Sequence, residues 1–358
     1  MAITLIYKQP ALMKLSTTSQ IITNRISWVD HARGIAILLV VYRHVVVGMR
    51  RSGIVVTEVT YNLQEVFYNF RMPVFFVLSG VFIAASLRKK SAISILRDRA
   101  ETILYPYILW AFILVSLEIV LSEYTNAKRG LQDYWHIIAQ PRAIDHLWYL
   151  FALFNTTLLY LILGKIIKPL WLHLPVSLVL HALTFQGFLQ GKSLISDAFY
   201  FYPFFLTGAI LTEFFLNPQK SSLFFNSRTL LWLVPLFVAG QWFWFRHRDD
   251  EKGWYLLFFF INLIACYMVY IIAREMARHS FFNGLSYIGK YSLYIYILHV
   301  PLAAGVRNIF LKGQIQADSF IILFFCWMIG IIVPVIAINL VKNTRFLLLF
   351  SLKSKPTI

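Results

Sequence analysis

Hydrophobic residues are gathered along this chain into long blocks that short polar segments separate. Most blocks run for about 18 to 22 residues, enough for a helix to cross a hydrocarbon layer roughly 30 Å thick. Because lipid offers no hydrogen-bonding partners, a segment that crosses it satisfies its own backbone as an α-helix. The pattern predicts an all-α, polytopic integral membrane protein with about ten transmembrane helices, at residues 28–49, 68–87, 103–121, 147–164, 171–188, 199–216, 229–245, 254–273, 291–310 and 319–341.

Composition and charge agree with residence in a membrane. Hydrophobic residues make up 59% of the 358 positions and charged residues only 14%, whereas soluble domains carry about 25% charged residues. Lys and Arg are more frequent on the side of the bilayer that holds both ends of the chain. Since such residues accumulate in the cytoplasm, we expect both termini there: a segment 1–27, a transmembrane domain 28–341 and a basic tail 342–358.

The net charge of +17 requires no nucleic acid as a partner. Basic residues at a membrane surface attract anionic lipid headgroups, each contributing roughly 1 kcal/mol, so membrane lipid is the expected partner. The two cysteines, Cys266 and Cys326, lie in apolar spans far apart in sequence. They match neither a disulfide framework nor a metal-binding spacing, and we expect no metal site.

The first predicted span is unusual because it contains five ionisable residues, in the stretch WVDHARGIAILLVVYRHVVVGM. Each costs about 2.5–3.5 kcal/mol to insert, so residues of this kind mark functional sites. Arg33 and His44 come within about 20° of one helix face and lie about 16 Å apart along the axis. Asp30 is one turn before Arg33 and can pair with it. The span predicts a cation towards the cytoplasm and an imidazole towards the outer side.

A purely structural explanation of these residues stays open. Arg33 can reach the inner headgroups, and His44 can pack in a polar seam between helices. Arg43, nearly a quarter-turn from His44, is explained equally well in this way. His299, an imidazole in the ninth span, is best explained by core packing. Histidine is nevertheless the side chain best suited to take and return a proton near neutral pH.

Other segments carry polar residues that suit ligands. The second span begins NFRMPVFFVLSGVF, with Arg71 near the outer boundary and the pair Ser79–Gly80 in mid-membrane, where a helix or a slender ligand chain can approach the backbone. At the outer start of the fourth span, Trp148 is typical of an interfacial anchor, and His146 lies just outside. The loop after the second span holds bases that set orientation and also suit the phosphates of a nucleotide-like cofactor: Arg88, Lys89, Lys90, Arg97 and Arg99.

Six stretches, in order, resemble the membrane-bound acyltransferase-3 family, in particular its stand-alone members that acylate bacterial polysaccharides. DHARGIAILLVVYRH is similar to the family's signature of an arginine, ten residues and a histidine, met here by Arg33 and His44. The other stretches are MPVFFVLSGVF, ILYPYILW, HLWYLFALF, FYPFFLTGAI and IGKYSLYIYILHVP. Thr102 departs from the family pattern, because it stands where a second basic residue usually follows Arg99.

The resemblance implies a multi-pass enzyme of the bacterial inner membrane. It would move an acyl group, most simply acetyl, from cytosolic acetyl-CoA or another acyl-CoA to a hydroxyl of a cell-surface or secreted polysaccharide or its lipid-linked precursor. Acyl-CoA would be a donor substrate rather than a bound cofactor, and polysaccharide-synthesis proteins would be partners. The implied roles are catalysis for His44 and Arg33, donor binding for Arg97, Arg99, Lys89 and Ser79, and acceptor binding for Arg71, Asp30, His146 and Trp148.

Two other classes of function remain open. Ten spans with buried ions are also typical of a transporter or flippase for a lipid-linked sugar, although the sequence lacks the paired Gly/Pro interruptions that many carriers show in matching halves. A structural subunit of a polysaccharide-synthesis complex fits less well, because it gives no reason for ionisable groups concentrated in one helix.

Overall fold

The computed structural model describes residues 26–123, 128–186, 189 and 192–353, so nearly all of the predicted segment 1–27 lies outside the described residues. All regular structure in this part of the chain is helical, which confirms the predicted all-α fold. The α-helices are α1 (Ser27–Arg51), α2 (Glu58–Val66), α3 (Arg71–Leu87), α4 (Ala92–Arg99), α5 (Tyr105–Val120), α6 (His136–Ala139), α7 (Trp148–Ile166), α8 (His173–Leu183), α9 (Ser193–Ile210), α10 (Thr212–Leu216), α11 (Pro218–Phe224), α12 (Leu230–His247), α13 (Glu251–Arg278), α14 (Asn283–Lys290), α15 (Ser292–Lys312) and α16 (Ser319–Val341). A π-helical turn joins α4 to α5, and short 3-10 turns connect several of the others.

Membrane-length helices recur along the whole described chain. Seven stretches contain a helix long and apolar enough to cross a bilayer: Ser27–Arg51, Glu58–Leu87, Ala92–Val120, Pro141–Ile166, Pro218–Arg278, Ser292–Lys312 and Ser319–Val341. Each of the ten predicted spans overlaps a helix. Ten spans were predicted and seven stretches are found for two reasons. Helices α12 and α13 share one stretch, and α8, with 11 residues, and α9 lie outside the seven stretches. The chain is a multi-pass membrane protein; the number of ten spans and the cytoplasmic termini stay predictions.

Helix α1 lies at the centre of the bundle and packs against α3, α13, α14, α15 and α16. Its small and β-branched residues suit this position, since Ala32, Ile37 and Val40 are all fully buried. Helix α14 comes so close that a Cβ on Gly289 would lie 1.7 Å from the carbonyl oxygen of Asp30, an approach that only glycine allows. The ionisable residues of α1 therefore meet other helices rather than lipid alone.

Helices α3 and α9 are held together by a reciprocal pair of glycines. A Cβ on Gly80 would lie 1.8 Å from the carbonyl oxygen of Phe205, and a Cβ on Gly208 would lie 1.9 Å from that of Val77. Small residues let two backbones approach in this way where no water drives association. Gly80 therefore serves helix packing, one of the two uses predicted for its pair.

The chain after α16 folds back onto the start of α5. The Trp110 indole N–H donates to the carbonyl oxygen of Leu349 (2.7 Å), and the Phe350 ring stacks on Trp110 with centroids 5.5 Å apart. Lys353 pairs with Asp98 at 2.6 Å. The predicted basic tail is therefore anchored as far as Lys353, and residues 354–358 lie outside the described residues.

Candidate active site

A cavity of about 1380 Å³ lies at the end of α1 that carries His44. Pockets for small molecules usually have volumes of about 300–1,000 Å³, so this space has room for more than one sugar unit. Its walls come from α1, α2, α3, α5, α7, α9, α12, α13 and α15 and from connecting segments. They carry seven arginines, six acidic residues and eight aromatic rings. The total charge is nearly balanced, so any excess of one sign is local.

His44 lies on the wall of this cavity and is hydrogen-bonded to His299 of α15. The Nδ1 atom of His299 is 2.9 Å from the carbonyl oxygen of Ile295 and 2.8 Å from that of Tyr296. Because carbonyl oxygens only accept, this Nδ1 carries the hydrogen, and the lone pair of the neutral ring is on Nε2. That Nε2 is 3.1 Å from Nδ1 of His44.

These contacts determine the tautomer of His44. Its Nδ1 faces two acceptors, the Nε2 of His299 and the carbonyl oxygen of Val40 at 2.9 Å, so Nδ1 carries the hydrogen. The lone pair of the neutral imidazole is then on Nε2, the form of histidine that can remove a proton. Because His44 lines the cavity and its Nδ1 is engaged, Nε2 is the ring nitrogen that remains for a ligand hydroxyl.

A third imidazole, His146, completes the cluster. Its ring centroid is 4.9 Å from that of His299 and 6.0 Å from that of His44. Its Nε2 is 3.2 Å from a backbone carbonyl of α15, and its buried Nδ1 has no hydrogen-bond partner within the described residues. The hydroxyl of Tyr296 donates to the carbonyl oxygen of His146, and the Tyr296 ring lies 5.3 Å from that of Tyr149. Two tyrosines, Tyr296 and Tyr149, thus extend the polar region from the imidazoles into the helix bundle.

Arginines crowd the cavity wall beside His44. Arg43 pairs with Glu65 at 3.0 Å, and Arg248 approaches the same carboxylate at 3.8 Å. The guanidinium carbons of Arg43 and Arg71 lie 4.2 Å and 4.8 Å from the centroid of the Tyr68 ring. Two guanidinium groups therefore share one carboxylate and the third, Arg71, has no ion pair among the described residues, so this part of the wall is positively charged. We refer to Arg43, Arg71 and Arg248 as the arginine cluster.

Two other arginines of the wall have carboxylate partners. Arg142 pairs with Asp197 at 2.6 Å and stacks on Trp148, whose ring centroid is 4.1 Å from the guanidinium carbon. Arg129 pairs with Glu118 at 2.8 Å. Each of these ion pairs is neutral overall. With Trp148 they form a polar and aromatic surface that lacks the net positive charge of the arginine cluster.

Arg33 belongs to a separate group at the other end of α1. It is 3.9 Å from Asp30, and its guanidinium carbon is 5.7 Å from the centroid of the Phe82 ring. Arg33 and Arg99 interact electrostatically with each other and with Tyr149, whose hydroxyl is hydrogen-bonded to Ser79. The fold therefore brings Arg33, Ser79 and Arg99, predicted from three different segments, to one place.

The other predicted donor ligands are not part of this group. Lys89 is exposed, and the Arg97 side chain is 81% exposed and paired with Glu101 at 3.0 Å. The reason is helical phase: in α4 Arg99 points towards the bundle, while Arg97, two residues earlier, points away from it. Only Arg99 of the basic loop is thus positioned with Arg33.

The predicted acceptor ligands are also divided. Arg71 and Trp148 line the large cavity. His146 is buried behind its wall, against the other imidazoles, with 2% of its surface exposed. Asp30 is at the opposite end of α1, where it lines a cleft of about 300 Å³ with Lys290. The four predicted acceptor ligands therefore do not lie together in the structure.

Sequence reasoning missed the partnership of His299. The residue is fully buried, as core packing predicts, yet its ring also holds His44. The signal was available, because an ionisable residue inside a span is a functional hypothesis by itself. What was missing was its neighbour, which lies 255 positions away in the chain.

These features define a polytopic membrane protein with a cluster of buried imidazoles that adjoins a large cavity. A family model, described as an acyltransferase domain of the acyltransferase-3 type, matches residues 26–341 and so covers the sixteen α-helices of the described residues. The chain belongs to this family and is a membrane acyltransferase, as its motifs predicted. Comparisons with curated proteins and with solved structures gave no significant match.

Proposed function

We propose that the protein is an O-acyltransferase of the bacterial inner membrane that moves an acyl group, most simply acetyl, from cytosolic acyl-CoA to a hydroxyl of a polysaccharide or its lipid-linked precursor. The observation that carries the proposal is the tautomer of His44. Its Nδ1 is held by Val40 and His299, which leaves a basic Nε2 at a cavity large enough for part of a glycan.

The chemistry follows from this geometry. Nε2 of His44 removes the proton of an acceptor hydroxyl, and the oxygen attacks the carbonyl carbon of the thioester. The new C–O bond forms the ester as the C–S bond breaks, and the thiol of CoA leaves with the proton that His44 returns. His299 is a positioning residue, because it touches His44 and acts through it.

The Arg33 group supplies the donor side of the proposal. Two guanidinium groups, Arg33 and Arg99, suit the phosphates of CoA, for which arginine is the preferred ligand. Placed on the cytoplasmic side, they would hold the nucleotide part while the flexible thiol arm extends past Tyr149 and Tyr296 towards the imidazoles. The two tyrosines connect the two groups of residues.

The cavity supplies the acceptor side. Sugar rings have apolar faces that pack on aromatic rings and hydroxyls that hydrogen-bond to charged side chains. Trp148, Tyr200 and Trp244 line the cavity together with the charged residues described above. A glycan in this space would present a hydroxyl to Nε2 of His44.

The proposal is tested by replacing His44 or Arg33 with Ala in a strain that lacks the native copy. Both variants are expected to lose ester-linked acyl groups on the host glycan, measured by NMR, while the glycan is still exported. His279→Ala and Arg278→Ala serve as matched controls, since these side chains are 69% and 70% exposed at a helix end. Full acylation in both site variants, with failed export, would instead indicate the transporter.

Family membership favours the acyltransferase over a transporter or flippase. The same strain separates the two further. A carrier variant lacking activity would leave unexported glycan inside the cell, whereas an acyltransferase variant would leave exported glycan of normal length without its esters.

A further inference from the structure

The arginine cluster has more positive charge than its surroundings balance. Glu65 is shared between Arg43 and Arg248, and it is also the acidic residue with which Arg71 interacts. Three guanidinium groups and one carboxylate leave a net charge of about +2. Charges removed from water in this way destabilise a fold unless they are paired. A ligand of opposite charge would supply the missing partner.

Arg71 is the member of the cluster that protein contacts satisfy least. It is 5% exposed, forms no ion pair among the described residues, and its NH1 group is buried without a hydrogen-bond partner there. Its guanidinium carbon is 4.8 Å from the centroid of the Tyr68 ring, and a cation–π contact of this kind supplies no hydrogen-bond acceptor. The neighbouring Asn69 has both amide atoms buried without partners as well. Both residues line the cavity.

The cluster is rigidly supported and close to the proposed base. Tyr68 stacks on Trp244 with ring centroids 6.1 Å apart, so the ring that orients Arg43 and Arg71 is itself held. His44 lies near enough to interact electrostatically with both arginines. Anything bound to the edge of Arg71 would therefore sit beside the imidazole.

We propose that the acceptor carries a negatively charged group, a carboxylate or a phosphate, which the arginine cluster binds through Arg71 and Asn69. The inference rests on the proposed function and gives the substrate class: an anionic glycan rather than a neutral one. The bound anion fixes the glycan so that a neighbouring hydroxyl meets Nε2 of His44. Planar guanidinium groups are well suited to this task, because they bind either kind of oxyanion through two parallel hydrogen bonds.

Arg307 also lines the cavity, buried and without an ion pair among the described residues, but Arg43 and Arg71 are the arginines that interact electrostatically with His44. Two other arginines of the wall are poorer anion sites because they are already paired. Arg142 and Arg129 each have a carboxylate within 2.8 Å, so an incoming anion would have to displace it. Arg71 needs no such exchange.

The test measures binding apart from transfer, with the full chain purified in lipid nanodiscs. The probes are methyl β-glucuronide for the carboxylate, glucose 6-phosphate for the phosphate and methyl β-glucoside as the neutral sugar, titrated by calorimetry. At least one anionic probe is expected to bind about tenfold tighter than the neutral one, the scale of one charge-assisted hydrogen bond. The anionic probe that binds better identifies the source of the charge.

Arg71→Gln is expected to remove this preference and to leave the affinity for methyl β-glucoside unchanged. Arg246→Gln is the control, because Arg246 is exposed and is not part of the cavity wall. Equal binding of all three probes, or an equal loss for charged and neutral probes in Arg71→Gln, would overturn the inference. Selective binding without release of CoA from acetyl-CoA, in the presence of the base-treated host glycan, would overturn the proposed function while leaving the anion site in place.

Discussion

The hydrogen bond between His299 and His44 gives a prediction that a merely structural role for His299 would not. His299→Leu removes the acceptor while keeping an apolar side chain of similar size in a fully buried position. His299→Gln keeps an acceptor, because its side-chain carbonyl oxygen can take the place of Nε2. The two variants therefore differ in one property, the ability to accept the hydrogen bond from Nδ1 of His44.

The size of the effect follows from the charge that His44 gains. When Nε2 accepts a proton, the bond from Nδ1 to His299 changes from a neutral to a charge-assisted hydrogen bond. Such bonds contribute about 1.5–3 kcal/mol, against about 0.5–1.5 kcal/mol for neutral ones. The gain of roughly 1.4 kcal/mol arises only as the reaction proceeds, so it lowers the barrier and corresponds to about tenfold in rate.

We expect His299→Leu to lower kcat about tenfold with little change in the KM for the glycan, and His299→Gln to recover most of that loss. The assay follows the release of CoA by the purified full chain, with acetyl-CoA and base-treated host glycan. Thermal unfolding, measured in the detergent used for the assay, shows whether each variant is folded. If folded His299→Leu and His299→Gln have equal rates, or if both match the unchanged protein, the positioning role is wrong.

Two further predictions concern the scaffold. Gly208→Leu forces α3 and α9 apart at the carbonyl oxygen of Val77, and it should lower the unfolding temperature and the yield of folded protein, since overpacking costs about 1–3 kcal/mol or more. Gly164→Ala, where no atom lies within 4 Å of the added Cβ, should leave both unchanged. Arg142→Gln strands the buried carboxylate of Asp197 and should destabilise the fold by about 2 kcal/mol, with the half-exposed arginine limiting the loss. Adding Asp197→Asn should restore most of that stability in thermal unfolding; equal stability of Arg142→Gln and the double variant would mean that the stranded carboxylate does not cause the loss.

Local patterns were enough for the helices and for part of the site. Long apolar blocks identify helices without any knowledge of their neighbours, and the 3.6-residue period places Arg33 and His44 on one face of α1. The same period could have separated Arg99 from Arg97, because residues two positions apart point in different directions on a helix. The basic loop was treated as one unit, and the structure shows that only Arg99 joins Arg33.

Contacts between distant segments were not accessible in this way. His299 and His44 come from helices at opposite ends of the chain, and nothing in either local sequence says that their rings meet. Arg248 is a second example. It directly follows α12 and approaches Glu65, which lies about 180 positions earlier in the chain. Tertiary packing determines such pairings, and the local sequence around one residue does not identify its distant partner.

The central position of α1 has a consequence for how the protein is made. Of the described helices it is synthesised first, yet its partners α13 to α16 follow more than 200 residues later. Until they arrive, His44 lacks its partner His299, and lipid is a costly place for ionisable side chains. The nascent α1 is therefore expected to stay at the insertion machinery or the membrane surface until the C-terminal helices enclose it. A chain truncated before α15 should be degraded rather than partly active.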